Sequence, residues 1–412
     1  MNPSRAFRAG AAVGVVTFLI GCGANNPPTA PGAAALLREP TARGATSNEE
    51  SVAYQVNAEH TGAVKRGLRL PLKVLWSADP DGSKPVGYPI VANGIVVVAA
   101  ASDLIGIDAS NGNRLWKQSS PSGYAWVGAA YDNGTIFAIP TQTSGSAYVQ
   151  MYAFDERTGA LLWSAPAPGQ PFFSSPPTAS NGAVYTGGGG IGGTVYAFDE
   201  SAGALKWTAS VDGGDDSSPA VTSKGVYVSY DCPQTYDFKP SNGKQLWHFQ
   251  GYCHGGGGST PVLYRGLLFV GDSSTLAGYN GLILTAKAGK VVGGFNSYYM
   301  PAFSGKLGYF TPSSYYGTTQ LEARKVPSMA LDWKVTLNSD GYVTPPLVAG
   351  KIVYIVTAGG FLLGYDAKSG KQEAQITLGN GGSYRGFVVG LGYGSNELIV
   401  PNGQYLIAVQ GS

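Results

Sequence analysis

Phe154-Asp155-Glu156-Arg157-Thr158-Gly159 leads through Ala160-Leu161 to Leu162-Trp163. It reads as a strand, a tight turn with glycine where φ must be positive, and a second strand closing on tryptophan. The same phrase recurs as Ile107-Asp108-Ala109-Ser110-Asn111-Gly112 before Leu115-Trp116 and as Phe198-Asp199-Glu200-Ser201-Ala202-Gly203 before Lys206-Trp207. A fourth copy is Phe238-Lys239-Pro240-Ser241-Asn242-Gly243 before Leu246-Trp247. Weaker copies lie at Ala286-Lys287-Ala288-Gly289-Lys290, at Trp333 and at Tyr365-Asp366-Ala367-Lys368-Ser369-Gly370.

Spacing turns the phrase into an architecture. The tryptophan or its equivalent stands at positions 76, 116, 163, 207, 247, 293, 333 and 374, steps that match a propeller blade of about 40–45 residues. A second marker opens a short apolar strand at Pro89, Val127, Pro176, Pro219, Pro261, Pro301, Pro345 and Gly386. Both markers count eight units. Trp76 has no full unit before it, and the strands after Gly386 have no closing tryptophan strand. The segment Leu70–Trp76 is therefore expected to supply the outer strand of the last unit and close the ring, which removes two exposed sheet edges. The expected fold is all-β, an eight-bladed β-propeller.

Composition agrees. The chain has 412 residues with 61 Gly and 26 Pro, and charged residues are only 13%, against about 25% in an ordinary soluble protein. That argues against long helices, and 43% hydrophobic content argues against disorder. A net charge of +2 without a Lys/Arg block gives no footprint for nucleic acid. Three Cys and three His exclude a disulfide framework or a multi-zinc protein.

Three regions are expected: 1–21, 22–64 and 65–412. Arg5 and Arg8 precede an apolar run from Ala9 to Ile20, too short for a span of about 20 residues but suited to a signal peptide. Leu19-Ile20-Gly21-Cys22 then matches a bacterial lipobox, with Cys22 the acylated residue. Residues 22–64 read as a lipidated flexible tether, and 65–412 as the propeller. Gly23 in place of Asp makes the periplasmic side of an outer membrane the default destination.

The repeats resemble those of the quinoprotein alcohol dehydrogenase-like family, the pyrroloquinoline quinone (PQQ)-type propellers. Tyr54-Gln55-Val56-Asn57-Ala58-Glu59-His60-Thr61-Gly62 is similar to that family's lead-in. The resemblance implies the fold and leaves function open between enzymes, scaffolds and sensors. It implies that Trp76, Trp116, Trp163, Trp207, Trp247 and Trp333 dock one blade on the next. A signal peptide, lipobox, tether and single propeller together resemble the BamB-type outer-membrane assembly scaffold. That likeness implies a monomeric, non-catalytic binder of envelope proteins, held to the bilayer through Cys22, with neither cofactor nor metal.

With the four strands of a blade lettered A to D from axis to rim, the D–A connections and B–C turns share one face. The connections carry Tyr88, Tyr124, Trp126, Phe172, Phe173, Tyr252, Tyr298, Tyr299, Tyr342 and Tyr384; the exception carries Asp215 and Asp216. The long B–C turn near 312–320 adds Tyr315 and Tyr316. These rings either line a binding mouth for a protein segment, a sugar or a flat cofactor, or fill gaps between blades. Cys232 and Cys253 fall on the same face and, in an oxidising compartment, are expected either to pair as a disulfide worth roughly 3 kcal/mol in the chain-entropy model or to stay separately buried. Two other functions compete with the scaffold. One is a dehydrogenase using PQQ with Ca²⁺, against which stand the missing adjacent cysteine pair and the short body. The other is a surface glycan-binding module.

Overall fold

A computed structural model describes residues 49–143, 149–190, 192–214, 216–230, 233–251, 258–272, 279–312, 319–337, 344–357, 359–379 and 390–412. These form eight antiparallel sheets of four strands each, one of which gains a short fifth strand. Blade 1 is Ile90–Ala92, Ile95–Ala100, Asp103–Asp108 and Arg114–Ser119. Blades 2 to 7 follow over 124–166, 178–211, 220–250, 262–295, 302–336 and 347–377. Blade 8 takes Gly392–Gly394, Glu397–Asn402 and Tyr405–Gly411 from one end of the chain and Leu72–Ala78 from the other. The sequence-derived closing strand thus pairs where expected, with Val74 opposite Val409 and Trp76 opposite Ala408.

The tryptophan acts through a local irregularity. In all eight blades the C–D ladder slips by one residue just before the marker position, as between Leu161 and Trp163. Such a bulge re-aims the next side chain. The skipped residue turns outward, which accounts for exposed Leu75, Leu115, Leu162, Leu246 and Val292. The tryptophan turns onto the next blade. Trp116 Nε1 donates to the Glu156 carbonyl (2.9 Å), Trp163 to Glu200 (2.9 Å), Trp207 to Pro240 (2.8 Å), Trp247 to Ala286 (2.9 Å) and Trp333 to Ala367 (3.1 Å). Trp76 reaches Ala109 in the same way. The turn glycine lies under the ring: a Cβ at Gly112, Gly159, Gly203, Gly243, Gly289 or Gly370 would sit 2.5–2.8 Å from the indole.

One segment departs from expectation. Residues 51–64 do not belong to a tether; they cross the axis of the ring, so the body begins by residue 49 rather than 65. Val91, Tyr131, Val221, Leu263, Phe303 and Val348, each on the innermost strand of a different blade, donate their N–H to the carbonyls of Ser51, Val52, Ala58, Glu59, Thr61 and Gly62 (2.6–3.0 Å). Ser51 N–H reaches Tyr393 of blade 8, and His60 Nε2 lies 3.3 Å from Thr178 Oγ1 of blade 3. All eight inner strands are therefore met, and their open edges are covered. Backbone groups make most of these bonds, so the segment has no apolar period that would mark it as structured. Its path needs left-handed backbone at Gln55, Val56, His60 and Gly62. Val56, a β-branched residue at φ 81°, stores about 1–3 kcal/mol of strain. Two hydrogen bonds to its carbonyl and one from its N–H to Tyr88 Oη hold it there.

Candidate functional site

The axial segment seals the ring at the end where strands A and B turn, because the residues it bonds stand just before those turns. A hollow of about 570 Å³ remains on this face between Glu59–Lys65 and the A–B turns of blades 5 to 7, and the opposite end is hollow as well. A cavity of about 420 Å³ opens there, floored by Tyr54 and walled by the connections of blades 2 to 6 with the B–C turn of blade 5.

Hydroxyls order this end of the ring, and of those in the network Ser259, Thr260 and Ser297 line the cavity. Ser217, Ser259 and Thr344 each stand twelve residues before a strand-B N–H that their oxygen accepts, from Ser229 (3.1 Å), Gly271 (2.9 Å) and Val356 (3.0 Å). Ser297 does the same for Thr311 at 2.9 Å. These N–H groups lie at strand ends and would otherwise be orphaned. A hydroxyl that accepts such a bond keeps its own proton to donate. Neighbouring blades are linked sideways by Thr178 with Ser218 (3.1 Å) and by the Ser218 N–H to Thr260 Oγ1 (3.2 Å). His60 sits beneath, fully buried, with Nδ1 3.1 Å from the Pro261 carbonyl, and burial pushes its pKa down to about 4. A neutral imidazole with both nitrogens engaged holds the axial segment in place and does not face the cavity.

The aromatic residues read from the sequence divide into two groups. Tyr298 (51% exposed) and Phe172 (46%) present their rings to solvent, and Tyr298 meets Tyr299 edge-on at 4.9 Å. Tyr298, Tyr299 and Asp216 line the cavity. Tyr88, Tyr124, Trp126 and Phe173 are buried. Tyr88 packs edge-on to Tyr54, Trp126 lies against Tyr152 and Phe154, and Phe173 lies against Tyr196. Those four fill gaps in and between blades. Cys22, Asp215, Cys232, Tyr252, Cys253, Tyr315, Tyr316, Tyr342 and Tyr384 lie outside the described residues. Sequence reasoning missed Tyr54, Asp272, Asn280 and Met300 in the lining. The serine or threonine preceding many strand-A markers was the available signal for the hydroxyl wall.

Residues 147–301 match the family model described as outer membrane protein assembly factor BamB. In structure the chain is similar to quinohemoprotein alcohol dehydrogenase from Comamonas testosteroni, at 17% identity, covering 89% of this chain and 81% of that one with a TM-score of 0.64. It is also similar to BamB from Moraxella catarrhalis (15% identity, 82% and 98% covered, TM-score 0.59) and to the computationally designed protein Ika8 (14%, 82% and 100%, 0.64). No curated protein sequence matches the chain. The resemblance to PQQ-type propellers therefore holds, and an enzyme, an assembly factor and a designed protein share the fold without selecting a chemistry.

The resemblance raises PQQ as a candidate occupant of the cavity. PQQ is a planar tricarboxylate and asks for cations around its rim and a flat ring to stack on. The described lining contains Asp216 and Asp272 but no Lys, Arg or Trp, so these residues do not fit it. Among the described residues no group of three or more His, Cys, Asp or Glu is arranged to hold a metal.

Proposed function

We propose that this protein is an exported, membrane-tethered propeller that works as a non-catalytic scaffold in the bacterial envelope, binding extended protein segments at its hollow face. One observation carries the reading: the chain crosses its own axis and leaves, on the face away from that segment, a cavity walled by hydroxyls, exposed tyrosine and carboxylates. Such a lining hydrogen-bonds and stacks, which suits a polypeptide. No His, Cys or Lys among its described residues offers a nucleophile or a near-neutral base. The match of 147–301 to an assembly-factor family supports the same reading.

The test is photocrosslinking in intact cells from positions 298 and 172, with Lys306 on the opposite face as the comparison. Defined protein adducts from the first two and none from the third are expected. Tight one-to-one binding of PQQ with Ca²⁺, followed by dye reduction with an alcohol, would overturn the scaffold in favour of a dehydrogenase. Adducts to glycan alone would make the protein a lectin-like module.

A further inference from the structure

The face sealed by the axial segment is electrically divided. Its A–B turns in blades 4 to 7 carry one cation each: Lys224, Arg265, Lys306 and Lys351. The C–D turns open on the same face and add Lys239, Lys244, Lys287, Lys290, Lys325, Lys368 and Lys371. All eleven are exposed. Among the described residues two of them form ion pairs, Lys325 with Asp332 at 3.0 Å and Lys371 with Glu373 at 2.9 Å. Blades 1 to 3 place mostly carboxylates on these turns, among them Asp108, Asp132, Glu156 and Glu200, with Arg157 the cation in the blade 2 turn and Asp366 a carboxylate in the blade 7 turn. Burial pushes Glu200 up to about 8, with the Asp132 carboxylate beside it adding to the shift, and burial also raises Glu156. Glu200 is thus partly protonated near neutral pH, whereas hydrogen bonds from Ser110 hold Asp108 below the usual carboxylate range.

The chain joins the body on this face. Glu50 accepts the N–H of Asn93, in the A–B turn of blade 1, and Glu49 pairs with Arg66 at 3.4 Å. Residues 49 and 50 therefore lie on the face that carries the cations.

We propose that this basic crescent is a docking surface for an anionic lipid bilayer, placing the sealed face against the membrane and the cavity away from it. Ten of the eleven cations are lysines, point charges on flexible stems at turn tips, spread over four blades rather than gathered in a groove. That array suits a diffuse, flat anionic surface better than a nucleic acid, whose phosphates favour arginine forks and aromatic stacking. The proposal deepens the membrane-tethered reading and rests on it for the choice of a lipid occupant.

The test uses the body alone, Ala45–Ser412, a compact unit that closes its own core. Sedimentation with vesicles of phosphatidylglycerol mixed with phosphatidylcholine should carry it down, and high salt should release it. Pure phosphatidylcholine should not hold it. Reversing Lys224→Glu, Arg265→Glu, Lys306→Glu and Lys351→Glu together should weaken binding at least about a hundredfold, since each basic residue near such a surface contributes about fivefold. Unchanged thermal unfolding would show that the variant is folded, and Arg157→Glu should alter little. Equal binding by the quadruple variant, no binding to the anionic vesicles, or retention on heparin without vesicle binding would each overturn the proposal. The mass of Cys22 in chain purified from cells answers separately: an unmodified thiol would remove the anchor, while vesicle binding by the body would still uphold the crescent.

Discussion

Between blades 1 and 2, Trp116 lies on Gly159 and donates its indole N–H to the Glu156 carbonyl. Between blades 5 and 6, Gly293 stands where the tryptophan would be and Met329 where the turn glycine would be. Met329 keeps the same turn bond, its N–H reaching the Lys325 carbonyl at 2.7 Å, and the same left-handed φ of 58°. The space is filled instead by Phe269, Phe295, Phe303 and Phe310, with centroids 4.4–6.5 Å apart. The difference teaches that tryptophan and glycine are one device. The indole needs a bare turn beneath it, and where the indole is lost the turn can carry a side chain again.

Three changes would break or sharpen that comparison. The largest expected effect is Phe269→Ala, which removes the ring shared by the other three phenylalanines and should cost about 3–5 kcal/mol in urea unfolding. A loss under about 1 kcal/mol would mean that the phenylalanine seam does not hold its blades. Next, Gly159→Ala should cost about 2–4 kcal/mol, since its methyl group meets the Trp116 ring and its backbone is left-handed. Met329→Ala at the equivalent position should cost at most about 1 kcal/mol. Equal costs would dissolve the pairing of tryptophan with glycine.

The smallest effect is a pH slope. Glu200, beside the Trp163 seam, has a folded pKa of about 8 against an unfolded value of about 4.3. Its contribution to stability is therefore fully present below the unfolded value and fades as pH rises through about 8. Glu200→Gln should flatten the decline in melting temperature across that window, and an unchanged slope would remove Glu200 as its source. The acid side has the opposite sign. Hydroxyls of Ser110, Ser201 and Ser369 hold the carboxyls of Asp108, Asp199 and Asp366 below their ordinary range. What these turns contribute is present above about pH 4 and lost as pH falls further.

The ring was legible in the sequence because its determinants are local and repeated: a turn, a glycine and a tryptophan at fixed offsets. The closing strand was legible by subtraction, since one unit lacked its rim strand. The axial segment was not, because backbone bonds to seven separate strands, with only His60 reaching the eighth by its side chain, leave no side-chain period. The aromatic face was half legible. Sequence placed Tyr88 and Tyr298 on the same connections, but only packing decides that one ring turns in to Tyr54 and the other out to solvent. The basic crescent was hidden for a geometric reason: its A–B cations recur once per blade, so no window of sequence holds a cluster.

Blade 8 joins Leu72–Ala78 to Tyr405–Gly411, which has a consequence for the order in which the protein can be made. A chain emerging from its N-terminal side delivers the rim of this blade first and its inner three strands more than three hundred residues later. Until then Trp76 can settle on blade 1, but its own strand has no neighbour, and the axial segment lacks Tyr393 to grip. A nascent or truncated chain therefore presents an unpaired edge until its last strands arrive, so holding proteins and proteases can distinguish it from the closed ring by that edge alone.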